Sequence, residues 1–100
     1  MQQDGISFRF GESVSMAEID GTLRLAVIAV EAIHGVDCVR VEGRYELDTH
    51  ARSVGIDLSS EVGRTLALVF GGYARREFGD QAVQIVRTTE TGRPQAAVIG

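Results

Sequence analysis

Lysine, asparagine and tryptophan are absent from these 100 residues, and cysteine and proline occur once each. A single cysteine, Cys38, cannot close an intrachain disulfide, which argues against a stapled secreted domain and fits a reducing cytosol. It also leaves no Cys-x-x-Cys pair for metal or redox chemistry. The longest apolar run, Leu25 to Val30, falls far short of the roughly 20 residues that span a bilayer. No charged segment leading into an apolar core follows Met1, so no secretory signal is expected and the reading is cytoplasmic. All 10 basic residues are arginine, and 14 acids outnumber them to give a formal charge of -4. Codon bias in a GC-rich bacterial genome explains arginine without lysine most simply; selection for bidentate anion contacts is the alternative. The scattered arginines and the acidic balance lack the electrostatic footprint of a nucleic-acid binder.

What is present is a near-repeat of strand, helix and strand. The first half runs from Ile6-Ser-Phe-Arg-Phe10 through a long apolar helix to a strand over residues 39 to 47. The second runs from Ser53-Val-Gly-Ile-Asp-Leu58 through a helix ending at Gly79 to Ala82-Val-Gln-Ile-Val86. Both helices carry Thr-Leu-x-Leu, at Thr22 to Leu25 and at Thr65 to Leu68. Ser15 and Glu18 have capping-box spacing, so the first helix is placed from about residue 16 to His34, with Gly35 as its stop. Ser59 or Ser60 caps the second helix. Val39, Val41, Tyr45 and Leu47 alternate with Arg40, Glu42, Arg44 and Glu46, the period-two pattern of a half-buried strand. Gly43 lies on the apolar parity and marks a bulge or a close approach.

This order predicts one α+β domain over residues 1–100, a ferredoxin-like βαββαβ two-layer sandwich. It has a four-stranded antiparallel sheet with two helices on one face. Residues 88–100 read as a polar loop and an apolar tail, which leaves room for an extra C-terminal strand, a frayed end, or an arm that pairs with another subunit.

No nucleophile elbow, phosphate loop, dinucleotide fingerprint or metal-ligand spacing is present, so no catalytic residue, cofactor or metal is expected. His34 suits the dipole at its helix C-terminus, and His50 sits in a hairpin loop beside Asp48. With Tyr45 and Tyr73, these are the polar groups a small-molecule pocket between sheet and helices would use. The parity of the strands turns Arg9, Arg40, Glu42, Arg44, Glu46, Asp57 and Gln84 away from the helices, a charged face read as solvated and held by cross-strand ion pairs.

The first helix carries more apolar surface than a two-layer domain needs. Ile19, Leu23, Ala26, Val27 and Val30 suffice to cover the sheet, while Leu25, Ile28, Ala29 and Ala32 form a second stripe. That stripe either packs on the second helix or meets another chain. Gly71 and Gly72 inside the second helix imply close packing of another backbone or a kink. Val98 and Ile99 in the tail complete a candidate interface. The leading expectation is a non-catalytic interaction or regulatory module, a homo-oligomer (dimer favoured) or the partner of another protein, with no nucleic acid and no membrane. The alternative is a small-molecule-binding or enzymatic domain of the dimeric α+β-barrel type.

Overall fold

A computed structural model describes residues 4–88 and 94–96 of the chain. It is a mixed α+β fold: β1 (Gly5–Phe10), α1 (Met16–His34), α2 (Val36–Glu42), β2 (Tyr45–Asp48), β3 (Ser53–Asp57), α3 (Glu61–Phe78), β4 (Val83–Thr88) and β5 (Pro94–Ala96). A short 3-10 turn, Asp80–Ala82, links α3 to β4. The sheet has the order β2-β3-β1-β4-β5, and every neighbouring pair is antiparallel.

Local chemistry sets the helix ends. The Ser15 hydroxyl accepts from the Glu18 backbone N–H at 3.1 Å, and the Ser60 hydroxyl accepts from that of Gly63 at 3.0 Å. Gly35 ends α1 at φ +94° and Gly79 ends α3 at φ +90°, a region costly for any residue with a Cβ. Both are in the positive-φ region expected of a glycine stop, but each has an extended ψ.

The core lies between the helices and one sheet face. Phe8 and Phe10 of β1 and Val54 and Ile56 of β3 are buried with Ile19, Leu23, Ala26 and Val30 of α1 and Val62, Leu66 and Phe70 of α3. Edge-on ring contacts join Phe8 to Phe70 at 5.1 Å, Phe10 to Phe70 at 6.1 Å and Phe10 to Phe78 at 5.8 Å. At one end, Arg52 in the β2–β3 loop takes φ +53°, and its guanidinium donates to the carbonyls of Gly11 and Val14. The loop before α1 is thereby tied to the hairpin.

Two expectations are corrected and one is narrowed. Residues 39–42 are helical, and the strand begins only at Tyr45. Two valines in alternation cannot distinguish a strand from one turn of helix; here Val39 is buried and Val41 is 73% exposed. Gly43 is the cap of α2, its N–H bonded to the Val39 carbonyl at 2.8 Å; of the two alternatives it is the close approach and not the bulge, since a Cβ there would lie 3.4 Å from Val62. Arg40 and Glu42 therefore do not belong to the charged sheet face. Second, of the alternatives for residues 88–100 an extra strand forms: Pro94–Ala96 pairs with β4, Thr88 facing Pro94 and Val86 facing Ala96. Third, Gly71 receives a side chain where a backbone was expected: a Cβ there would lie 3.1 Å from the Phe8 ring. Val98 and Ile99 lie outside the described residues.

Gly63 is the tightest point. A Cβ there would lie 1.9 Å from the Asp57 carbonyl oxygen, whereas one on Gly72 would meet nothing within 4 Å. Gly63→Ala is expected to lower stability by roughly 3 kcal/mol or more, because backbone must move. Gly72→Ala is expected to raise it by about 0.5–1 kcal/mol through helix propensity. Urea unfolding of the two variants checks both signs.

Candidate functional site

Residues three and four apart share a helix face, so Leu25, Ile28, Ala29 and Ala32 form one stripe along α1. The second helix does not cover it: Leu25 is 61% and Ile28 59% exposed, Ala32 is exposed and Ala29 half-buried. On α3, Leu68 is 79% exposed. Leu25 and Leu68 hold the same place in the two Thr-Leu-x-Leu repeats. In each repeat the first leucine, Leu23 or Leu66, is buried and the second faces solvent. Gly72, one turn beyond Leu68, is exposed with open space above it, while Gly71 is consumed by the core. Of the glycine pair, only Gly72 is available to a partner.

Further exposed apolar side chains occur along the stretch of chain from the end of α1 to the start of β2. Ile33, Val36, Val41 and Tyr45 are exposed. Sequence reasoning missed Leu68, Ile33, Val36 and Val41, and named Tyr45 only as a polar group. The repeated motif contained the signal for Leu68, had the face of its second leucine been worked out. Val36 and Val41 were hidden by reading a strand where a helix forms.

The four polar candidates occupy four different places: His34 ends α1, Tyr45 opens β2, His50 is in the hairpin turn and Tyr73 is on α3. No hydrogen bond joins them among the described residues. His34 Nε2 lies 3.0 Å from the Thr65 hydroxyl, which itself donates to the Glu61 carbonyl at 3.0 Å. The His34–Thr65 contact ties α1 to α3. Partial burial, with the carboxylates of Glu42 and Glu61 nearby, pushes the Cys38 thiol above its ordinary range, away from a reactive thiolate. Among the described residues no group of His, Cys, Asp and Glu could hold a metal ion. No helix there is long and apolar enough to cross a membrane.

The sheet face away from the helices is a shallow depression of about 520 Å³. Ser7 and Ser53 contribute small side chains and Gly55 bare backbone to its lining, and Arg44, Glu46, Asp48 and Asp57 contribute charge. The expected ladder of ion pairs is not formed: among the described residues the one ion pair is Arg24 with Asp20, at 2.9 Å on α1. Asp57 instead accepts from the Ser59 backbone N–H at 2.8 Å. That bond, aided by Arg44, holds its carboxyl below the usual carboxylate range.

Comparison with protein-family profiles, curated proteins and solved structures finds no match to this chain.

The Asp57 shift has a signed consequence. A depressed carboxylate pKa stabilises the fold above the unfolded value of about 3.8, and that contribution disappears as pH falls through the lower folded value. Asp57→Asn is expected to flatten this part of the stability profile below pH 4, while leaving an acceptor for the Ser59 N–H. Thermal melts of both proteins across the acid range check it.

Proposed function

We propose that this chain is a non-catalytic interaction module that self-associates through the exposed apolar surface of its helices. The observation that carries the reading is the exposure of Leu25, Ile28 and Leu68, midway along α1 and α3, where a solvated helix face would be polar. Ala32 and Gly72 support it, since small residues allow close approach of a second helix. The absence of convergence among His34, His50, Tyr45 and Tyr73 favours this reading over a small-molecule pocket.

We also read the fold as a ferredoxin-like βαββαβ two-layer sandwich. The order β2-β3-β1-β4 supports it: β1 and β3 are central, and each strand-helix-strand unit passes over one intervening strand. Such folds host many functions, so the architecture adds nothing to the functional reading.

The expected result is a solution mass above that of the monomer, reduced by Leu25→Asp and by Ile28→Asp. Both positions are exposed, so neither substitution buries a charge in the monomer and both variants are expected to fold. Light scattering across a concentration series makes the measurement. A strict monomer unaffected by either substitution removes the basis of the proposal.

A further inference from the structure

The outer edge of the sheet at β2 carries a second, independent signal. The Asp57 N–H bonds to the Arg44 carbonyl at 2.9 Å, which makes residues 44 and 57 a hydrogen-bonded pair of the antiparallel ladder. With the register Glu46 to Gly55 and Asp48 to Ser53, those pairs are hydrogen-bonded too. The next ladder obeys the same alternation: Leu58 N–H bonds to Asp4, and Phe10 N–H to Arg52. The N–H and C=O groups of Tyr45 and Leu47 therefore point out of the sheet. No other element bonds to them among the described residues. The short α2 that leads into β2 packs on α1 and α3.

Edge strands are commonly blunted by shortness, by charged side chains (lysine above all), by proline or by a bulge; β2 is four residues long and carries Glu46 and Asp48, but the other devices are missing. This chain has no lysine, its single proline is Pro94, and the β2–β3 register runs from Tyr45 to Asp48 without interruption. We propose that a second copy of this chain pairs with β2 in antiparallel fashion, about a two-fold axis at Glu46, joining two sheets into one. This goes beyond the helix-surface proposal and uses a different face.

The register follows from which groups are free. An axis at Glu46 sets Tyr45 against the partner's Leu47 and Leu47 against the partner's Tyr45, so all four outward groups of each chain are bonded. It also sets Arg44 opposite the partner's Asp48 on the exposed sheet face, giving two pairs of opposite charge. An axis at Tyr45 would instead engage Gly43, whose N–H is already bonded to Val39. An axis at Leu47 would run into the hairpin turn. Such an interface is isologous and closes at two chains. Its one unfavourable element is Glu46 facing the partner's Glu46 on the axis, and that provides a test of sign.

Tyr45→Pro removes an outward N–H and no β2–β3 hydrogen bond; Tyr45→Val keeps the N–H and controls for the side chain. In sedimentation equilibrium of the full chain, Tyr45→Pro is expected to raise the dissociation constant roughly tenfold over Tyr45→Val, as two bonds are lost, one from each chain. Glu46→Gln is expected to lower it roughly threefold, and Arg44→Glu to raise it. Equal constants for Tyr45→Pro and Tyr45→Val overturn the inference. Should Tyr45→Pro fail to fold, hydrogen exchange of the wild-type Tyr45 and Leu47 amides decides. Protection that grows with protein concentration supports the pairing, and protection independent of concentration overturns it. A protein that loses mass with Leu25→Asp but not with Tyr45→Pro keeps the proposed function and loses this inference.

Discussion

The seat of Phe8 on α3 is the contact on which the arrangement depends. β1 is the central strand, paired on both sides, and its Phe8 ring lies edge-on to Phe70 and against the bare backbone face of Gly71. With no Cβ at residue 71 the helix can settle onto the ring, which sets the height of α3 above the sheet. Phe70, seated by that contact, then holds Phe10, and Phe10 holds Phe78 in the last turn of the helix. One aromatic chain thus runs from the middle of the sheet to the end of α3. A buried phenylalanine of this kind is worth about 3–5 kcal/mol against alanine, a large share of the stability of a domain this small.

The same contact determines which residues are left outside. Once Leu66, Phe70 and Ala74 face the sheet, residues on the opposite side of α3 face solvent, and Leu68 and Gly72 are among them. On α1 the buried set Ile19, Leu23, Ala26 and Val30 consumes one stripe and strands Leu25 and Ile28. A contact between His34 Nε2 and the Thr65 hydroxyl links the two helices side by side. The exposed apolar surface is therefore a consequence of the core being complete without it.

Much of this was legible in the residues. Both long helices, their serine caps and their glycine stops follow from short-range chemistry: an oxygen three residues before an amide, and a residue that tolerates positive φ. The first, third and fourth strands follow from apolar parity. The segment 36–42 did not, because Val39 and Val41 alternate in sequence while only one is buried; a single helical turn and a short strand make the same pattern at that length. The role of Gly63 was equally hidden. Its need for glycine comes from the Asp57 carbonyl, a partner six residues away whose closeness depends on how α3 leaves β3. The charged sheet face was read correctly as charged but wrongly as ion-paired, since parity says which side a residue is on and nothing about whether its partner is in reach.

The hydrogen-bond parity of β2 separates the two proposed surfaces physically. The outer helix surface offers side chains, and its contribution scales with the apolar area a partner covers. The β2 edge offers backbone groups, whose contribution depends on alignment and on the exclusion of water. The charged residues Arg44, Glu46 and Asp48 all belong to the sheet face away from the helices, which leaves Tyr45 and Leu47 as an apolar pair on the helical side of the same strand. A strand so divided has a charged face and a more apolar one, and its free hydrogen-bonding groups lie in the plane of the sheet between them, along the edge. Edge pairing would cover the outward groups of Tyr45 and Leu47 without disturbing the face where Arg44, Glu46 and Asp48 remain hydrated.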